Sequence, residues 1–298
     1  MSIIKLAIIQ ARISSSRLPG KVLMDIDAKP MLQHVVERAR QAKLVDEVMV
    51  ATTTDPSDDI LEQFCHRQAI SCFRGSLQDV LDRFYQAAKK STAQIIVRLT
   101  ADCPLLDPKL IDLTIEAFLG HNVNRNPRYP SLFRVDDTPT AFPFDFAANR
   151  LPPPWKRSLP IGLDVEVCSF TALESAWQQA DKPHQREHVM PYLYDGVMFS
   201  PSNPAAGEEW YVEQGSTPSG FKVALLNHIP DYGTLRWTVD TPADLEFVRQ
   251  VYPHFTGEPM FGWQQVLELV RQHPELESIN ADVQHKSAFD VDARATSS

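Results

Sequence analysis

Residues 4–21 read IKLAIIQARISSSRLPGK, and this stretch decides the fold. Its first part, residues 4–9, is a run of apolar, β-prone residues that is typical of a parallel strand covered on both sides. The rest is a loop with three serines and three positive charges, those of Arg12, Arg17 and Lys21. Ligands of open α/β sheets bind beyond the carboxyl ends of strands, and arginine suits phosphate oxygens. The stretch therefore predicts a strand followed by an anion-binding loop.

The loop differs from a P-loop. The first glycine of the G-x-x-x-x-G-K pattern is missing, and Val22 stands where that motif has serine or threonine. A solvated basic loop without a ligand is the alternative. The position of the loop directly after the first strand favours the anion site.

Strand and helix patterns alternate along the first half of the chain. Apolar residues at helical spacing fill residues 31–42 and 79–90, and short β-rich runs lie at residues 48–51, 71–73 and 95–97. This order predicts an α/β protein with a doubly wound, mostly parallel sheet.

The second half is less regular. Residues 121–160 hold a proline-rich stretch, which predicts an inserted lobe. Residues 163–170 alternate between apolar and polar side chains, which predicts a half-exposed strand of a mixed sheet. We expect helices over residues 185–194 and 263–272, and a loop over residues 200–220.

Length and composition fit one domain, which we place over residues 1–274, followed by a flexible acidic tail over residues 275–298. The net charge of −9 argues against a protein that grips nucleic acid. The four cysteines form no C-x-x-C pair, so neither a zinc ribbon nor a disulfide framework is indicated. Apolar runs stay below the ~18 residues of a membrane span, and the N-terminus lacks a signal-peptide cleavage site. We therefore expect a cytoplasmic protein without a membrane partner.

Two aspartates follow predicted strands in the two halves of the chain. Asp102 lies just past the predicted strand at residues 95–97. Asp240 lies between a predicted strand at residues 236–239 and Thr241, a good helix N-cap. Mg²⁺ prefers one or two carboxylates together with phosphate oxygens and water. Two strand-end aspartates can share one such ion, as phosphate-transfer sites often require. An Asx turn before Pro104 is the alternative for Asp102 alone.

A zinc-binding pattern also occurs. Residues 184–188 read HQREH, which matches H-x-x-E-H, and the two histidines of a helix can share a face. Pro183 places His184 at the start of the helix, and a third ligand is not evident. The pattern therefore favours an ordinary helix end or a substrate-binding helix over a zinc site.

Taken in order, the motifs resemble those of the cytidylyltransferases. The resemblance rests on RLPGK at residues 17–21, RLTADCPL at residues 98–105 and TVDTP at residues 238–242. Residues 75–83 and 160–167 fit as well. The chain is most similar to the spore-coat polysaccharide biosynthesis protein F group, which is kin to CMP-Kdo and CMP-sialic acid synthetases. This implies a Rossmann-like nucleotide-sugar transferase fold, transfer of CMP from CTP to a sugar with Mg²⁺, and a homodimer.

The resemblance also implies roles for single residues. The implied nucleotide ligands are Ala11, Arg12, Ser14, Arg17, Lys21, Gly75, Ser76 and Asp79, of which Arg12, Arg17 and Lys21 would act in catalysis. The implied metal ligands are Asp102 and Asp240. The implied ligands of the acceptor sugar are Asp164, Glu166, Arg186, Glu187 and His188. For Asp164 and Glu166, the solvent face of an edge strand is the alternative.

Two other functions stay open at this point. A glycosyltransferase of the same fold would use a nucleotide sugar as donor, although a donor diphosphate needs less positive charge than residues 17–21 carry. A non-catalytic nucleotide-binding protein would not need Lys21, Asp102 and Asp240 together. Release of pyrophosphate from a nucleoside triphosphate separates the first alternative from nucleotidyl transfer, and turnover excludes the second.

Overall fold

The structure, a computed structural model, describes residues 3–124, 142–258 and 260–284. Within these residues the strands are β1 (Lys5–Gln10), β2 (Asp25–Ile26), β3 (Lys29–Pro30), β4 (Glu47–Thr53), β5 (Ser71–Gly75), β6 (Ile95–Thr100), β7 (Phe146–Ala148), β8 (Glu166–Ser169), β9 (Met198–Phe199), β10 (Trp210–Ser216) and β11 (Lys222–His228). The α-helices are α1 (Met31–Ala39), α2 (Asp59–Arg67), α3 (Val80–Lys90), α4 (Pro108–Phe118), α5 (Phe170–Gln179), α6 (Pro183–His188), α7 (Pro191–Tyr194), α8 (Pro242–Val251), α9 (Trp263–Gln272) and α10 (Glu275–Ser278).

Nine strands form one mixed sheet in the order β5-β4-β1-β6-β8-β7-β11-β10-β9. β5, β4, β1 and β6 are parallel, and the direction reverses at β8, which is antiparallel to β6 and β7. The first residues of β8 therefore meet the ends of the four parallel strands. We call this meeting place the carboxyl edge; it holds the residues that follow Gln10, Thr53, Gly75 and Thr100 and those that precede Glu166. The predicted α/β fold with a mostly parallel sheet is confirmed.

Helices cover both faces of the sheet, as the apolar sequence of β1 requires. Ala7 and Ile9 pack with α1, α2 and α4 on one face, and Leu6 and Ile8 pack with α3 and α5 on the other. All four side chains are fully buried. A third apolar cluster around Trp237 holds α8 and α9.

The prediction of a half-exposed strand over residues 163–170 is wrong. β8 spans only Glu166–Ser169, and all four of its residues are buried. It lies between β6 and β7 in the middle of the sheet, where the polar as well as the apolar side chains are covered. The alternative that placed Glu166 on the exposed face of an edge strand is wrong for the same reason.

Three other predictions for the second half differ from the structure. The predicted loop at residues 200–220 contains β10, which pairs with β11 along its whole length. Residues 236–239 are not a strand of the sheet, and Arg236 makes a single parallel bridge to Ile161. The predicted helix at residues 185–194 is divided into α6 and α7, because Val189 between them has a φ of 71°.

The predicted lobe over residues 121–160 belongs in part to the main sheet. β7 lies inside this range, between β8 and β11, and Phe144 and Phe146 are buried in the core. Residues 144–148 are therefore part of the sheet and its core and not part of an inserted lobe. Residues 125–141 lie outside the described residues.

The predicted flexible tail begins with packed residues. α10 lies at its start, Leu276 and Asn280 are buried, and the Asn280 side chain donates to the carbonyl oxygen of Arg236 (3.1 Å). The prediction is wrong for residues 275–280, and residues 285–298 lie outside the described residues. Over residues 3–124, 142–258 and 260–284, no helix has the length and apolar character needed to cross a bilayer.

Candidate active site

A buried aspartate anchors the loop after β1. Asp58 accepts a hydrogen bond from the backbone N–H of Ile13 (2.7 Å) and another from the hydroxyl of Thr53 (2.5 Å). The carbonyl oxygen of Ile13 accepts in turn from the N–H of Gly20 (2.9 Å), whose φ of 73° is a left-handed conformation that favours glycine. The loop therefore closes on itself and returns the chain to the carboxyl edge. Sequence reasoning missed Asp58, because a bond to a backbone N–H 45 positions earlier has no local signature.

Lys21 brings the two predicted metal ligands together. Its Nζ donates to Oδ2 of Asp102 (2.8 Å), to Oδ1 of Asp240 (3.0 Å) and to the carbonyl oxygen of Val239 (2.7 Å). The distance between Asp102 Oδ2 and Asp240 Oδ1 is therefore at most the sum of their two distances to Nζ, so the two carboxylates face the same point. Burial by itself lowers the pKa of Lys21, but the attraction of Asp102 and Asp240 outweighs it and the pKa is raised. The lysine is thus a buried ammonium that is solvated by three protein oxygens.

Asp240 faces three cations. Besides Lys21 on Oδ1, its Oδ2 contacts Nη2 of Arg17 (2.8 Å) and Nη2 of Arg236 (2.9 Å). Burial raises the pKa of this carboxyl group, but the attraction of Lys21, followed by that of Arg17, lowers it to about 2. Asp240 is therefore ionised at every pH at which the protein is expected to work.

A second aspartate, Asp244, fixes the chain around Asp240. Asp244 is fully buried and accepts hydrogen bonds from the N–H groups of Asp240 (3.0 Å) and Thr241 (2.9 Å). It also accepts from Nε of Arg236 (2.8 Å) and Nδ2 of Asn280 (3.0 Å). Burial raises the pKa of Asp244, but the hydrogen bonds from Arg236 and from the Asp240 N–H outweigh it and lower the pKa. Sequence reasoning missed the roles of Asp244, Arg236 and Asn280.

The turn between β5 and α3 contains three predicted nucleotide ligands. Ser76 Oγ accepts from the N–H of Asp79 (2.9 Å), and the Ser76 carbonyl oxygen accepts from Nη1 of Arg83 (2.8 Å). A Cβ atom at Gly75 would meet Cγ of Arg83 at 3.1 Å. Arg83 is buried, its Nε has no partner among the described residues, and burial together with nearby Arg12 lowers its pKa to about 10. The turn therefore rests on a buried positive charge that sequence reasoning had not placed in the site.

The other predicted nucleotide ligands lie on the loop after β1. Ala11 is buried, and its N–H donates to the carbonyl oxygen of Ala51 (3.1 Å), which continues the pairing of β1 with β4. Arg12 and Ser14 are half-buried in the same loop. All of these residues follow the carboxyl end of β1, as the sequence predicts.

Two of the predicted acceptor carboxylates, Asp164 and Glu166, lie at the carboxyl edge, and both are paired with arginines. Asp164 contacts Nη1 of Arg157 (2.5 Å) and Nε of Arg150 (3.2 Å). Burial raises the pKa of Asp164, but Arg157 and Arg150 outweigh it and hold the pKa well below its usual range. Glu166 is buried and forms an ion pair with Arg98. Sequence reasoning missed the pairing of these three arginines.

Arg186, a third predicted acceptor ligand, contacts Asp79, which the sequence predicts as a nucleotide ligand. Its guanidinium binds Asp79, with Nε 3.0 Å from Oδ2, and its Nη1 donates to the carbonyl oxygen of Trp177 (2.7 Å). These contacts join α6 to the start of α3. Glu187 and His188 follow in the last turn of α6, and both are half-buried.

The geometry of the zinc-like pattern does not add a metal site. Nε2 of His184 lies 3.6 Å from Oδ2 of Asp195. In the part of the chain that the structure describes, no group of three or more His, Cys, Asp or Glu side chains is placed to hold a metal ion. Asp102 and Asp240 are therefore a pair of carboxylates that would need further ligands from a bound molecule or water.

A protein-family model described as cytidylyltransferase matches residues 6–202, which is more than half of the chain. The chain belongs to the cytidylyltransferase family. The match includes the loop after β1, Asp102 and the pair Asp164 and Glu166, all of which the fold brings to the carboxyl edge. The resemblance of the motifs to cytidylyltransferases is thereby confirmed.

Relatives of this cytidylyltransferase span nearly its whole length. Uncharacterized protein MJ1063 of Methanocaldococcus jannaschii is 31% identical over 290 residues, which cover 96% of this chain and 98% of that protein. Spore coat polysaccharide biosynthesis protein SpsF of Bacillus subtilis is 29% identical over 275 residues, which cover 91% of this chain and 95% of SpsF. The structure of a cytidylyltransferase from Leptospira borgpetersenii has a TM-score of 0.72 and 26% identity, and the match covers 96% of this chain and 100% of that one. The similarity to these proteins therefore extends beyond the residues that the family model matches.

Proposed function

We propose that this cytidylyltransferase transfers the CMP group of CTP to a sugar and releases pyrophosphate, with Mg²⁺ as the metal. The observation that carries the proposal is the meeting of Arg17, Lys21, Asp102 and Asp240 at one strand-end site. The reaction needs positively charged side chains that bind the triphosphate and carboxylates that bind its metal ion. This site contains both. The resemblance to CMP-Kdo and CMP-sialic acid synthetases supports a sugar as the acceptor.

In this reaction a hydroxyl oxygen of the sugar attacks the α-phosphorus of CTP and releases its proton to the solvent. The bond from that phosphorus to the bridging oxygen breaks, and pyrophosphate leaves on the opposite side. Arg12, Arg17 and Lys21 neutralise the charge that develops on the α-phosphate and on the leaving group. Such catalysis consists mainly of positioning and electrostatic stabilisation.

The chain does not need a covalent nucleophile for this transfer. Cys103 lies next to Asp102, and its thiol is fully buried in contact with the Thr100 hydroxyl (3.1 Å). Burial, and then the charges of Asp102 and Asp164, raise its pKa well above the usual value. The thiol therefore stays protonated and unreactive.

The residues present fit a magnesium ion. The three atoms around Lys21 Nζ are oxygens of Asp102, Asp240 and Val239, all within 3.0 Å of one position. Oxygen donors of this kind suit Mg²⁺, and Asp102 and Asp240 would hold it. When bound, the ion polarises the α-phosphate and offsets its charge.

The acceptor side lies next to this position. Asp102 comes two residues after β6, and Asp164 comes two residues before β8. Because these two strands pair, with Arg98 opposite Glu166, the two aspartates lie at the same part of the carboxyl edge. Arg150 and Arg157 hold Asp164 there, and we propose that this cluster, with Glu166, binds sugar hydroxyl groups. We assign Arg186 to the nucleotide side, because it contacts Asp79.

The test is pyrophosphate release from a panel of nucleotides and sugars. We expect release with CTP and an eight- or nine-carbon acidic sugar, or another surface-polysaccharide sugar, and not with ATP or GTP. Lys21→Met should lower the rate by about a hundredfold or more, since it removes charge from the site. Lys29→Met, a change of the same type on the exposed β2–β3 hairpin, should leave the rate unchanged.

Two outcomes contradict the proposal. Transfer from a nucleotide-sugar donor without pyrophosphate release would identify a glycosyltransferase. Binding of CTP without turnover with every sugar would identify a nucleotide-binding protein.

A further inference from the structure

Lys21 occupies the same place that a divalent cation would need. Its ammonium contacts both Asp102 and Asp240, the two carboxylates that would hold the metal, and it also contacts the Val239 carbonyl. The side chain is 9% exposed, so the charge is enclosed by the protein. A magnesium ion with Mg–O bonds of ~2.1 Å cannot share this position with an ammonium group.

Arg17 covers the second carboxylate oxygen of Asp240. Lys21 contacts Oδ1, whereas Nη2 of Arg17 lies 2.8 Å from Oδ2. Arg236 contacts the same oxygen at 2.9 Å and is itself fixed by buried Asp244. Arg236 therefore belongs to the scaffold, whereas Arg17 and Lys21 belong to the loop that is expected to bind the triphosphate.

The charges of the free site are balanced. Lys21, Arg17 and Arg236 carry three positive charges, and Asp102, Asp240 and Asp244 carry three negative ones. A metal ion that enters alone has to displace Lys21 and then lies beside the displaced cation. A triphosphate that enters alone has to draw Lys21 and Arg17 away from two carboxylates, which are then left facing its negative oxygens. Each ligand alone is thus opposed by charge repulsion, and the two together are not.

We propose that Lys21 is a built-in counterion that closes the metal position of the free protein and releases it only when a triphosphate draws the ammonium away. Metal and nucleotide then enter as one unit, and each raises the affinity of the protein for the other by the same factor. Lys21 is suited to this exchange because its flexible four-carbon stem lets one ammonium serve two sites. The inference rests on the proposed function, because it takes CTP as the triphosphate.

The test is a direct measurement of Mn²⁺ binding. The amount bound is determined from the decrease in the electron paramagnetic resonance signal of the free ion. The wild-type protein should bind Mn²⁺ at least about tenfold more tightly with saturating CTP than without it, after correction for Mn²⁺ bound to free CTP. Without CTP, Lys21→Met should bind Mn²⁺ at least about tenfold more tightly than the wild type, because the carboxylate pair is then open. Lys29→Met should behave as the wild type, and Asp102→Asn should remove the gain when added to Lys21→Met.

A second variant covers the case in which Lys21→Met does not fold. Arg17→Met removes the other loop cation from Asp240 at a more exposed position, and it should raise Mn²⁺ affinity without CTP about threefold. Equal Mn²⁺ affinity of the wild type with and without CTP overturns the inference. So does an unchanged affinity in both Lys21→Met and Arg17→Met.

The two proposals fail in different ways. If CTP with Mn²⁺ binds and pyrophosphate is released, but the lysine and arginine variants do not alter Mn²⁺ binding, only the counterion role is wrong. If CTP does not bind in the presence of Mn²⁺, the proposed function is wrong and the counterion role is overturned with it.

Discussion

The backbone N–H of Val239 donates a hydrogen bond to the carbonyl oxygen of Asp102 at 2.8 Å. This bond, with one from the Thr238 hydroxyl to the same oxygen (3.2 Å), holds two distant chain segments side by side. Asp240, the next residue, is thereby placed beside the Asp102 side chain without being part of a sheet strand. A backbone contact therefore sets the spacing of the two carboxylates that we propose hold the metal ion.

Loss of either carboxylate should cripple the transfer reaction. Asp102→Asn and Asp240→Asn keep the size of the side chain and remove its charge, so each should lower turnover by about a hundredfold or more. In the double variant, turnover should fall by a smaller factor than the product of the two single-variant factors, because both residues serve one ion. Pyrophosphate release measures all three, with exposed Asp282→Asn as the control. Fully multiplicative losses would show that the residues act separately.

Lowering the pH should reduce the free energy of unfolding, because Asp240 becomes protonated and loses its ionic contacts. Its pKa in the folded protein is about 2, below the usual aspartate value of ~3.9, so its ionic contacts stabilise the fold fully above about pH 4. This contribution, on the order of 2 kcal/mol, is lost as the pH falls from about 4 to 2. The difference in unfolding free energy between the wild type and Asp240→Asn should therefore shrink over that interval. Urea unfolding at pH 2.5, 4 and 6 measures it, and a constant difference would contradict the ionic role.

We expect the turn after β5 to recognise the base of the nucleotide. We expect CTP at about a hundredfold excess over its Kd to raise the melting temperature by about 5 °C, and ATP and GTP to raise it less. Gly75→Ala should reduce the CTP effect, because the added methyl meets Arg83 and Phe73 at 3.1 Å and displaces the turn. Thermal unfolding with each nucleotide measures the effect. Equal shifts for all nucleotides would count against a cytidine-specific pocket.

The residues after α9 should contribute to stability. Asn280→Ala removes two hydrogen bonds, one to Asp244 and one to the carbonyl of Arg236, and leaves two buried acceptors with fewer donors. The expected loss is about 1–3 kcal/mol of unfolding free energy. Chemical denaturation measures it against Asp282→Ala, a nearby exposed position. No difference between the two variants would show that the segment does not hold the Asp244 network.

Local chemistry made much of the fold predictable. The predicted bounds of α9 match those observed, and Thr241 caps α8 with Pro242 at the first helical position, as its sequence requires. The apolar run of β1 and the cations behind it correctly placed the loop at the end of a central strand. These features depend on residues within a few positions of one another, and a sequence displays such relations directly.

The features that sequence reasoning missed depend on distant partners. β10 is a strand because β11 pairs with it, whereas the polar, glycine-bearing sequence of residues 200–220 suggested a loop. Asp58 and Asp244 look like ordinary residues near helix starts, and their roles come from backbone N–H groups that only the folded chain brings to them. The arginines that neutralise Asp164 are separated from it by turns of irregular chain. Pairings of this kind require the tertiary structure.

The reversal of strand direction at β8 divides the carboxyl edge into two parts. The loop after β1, the β5–α3 turn and Asp102 follow the ends of strands that are parallel to one another. Asp164 lies just before β8, which runs the other way, and its partners Arg150 and Arg157 lie on the irregular chain between β7 and β8. Substitutions around Asp164 can therefore change the acceptor that we propose for this side without altering the strands that carry the proposed nucleotide ligands.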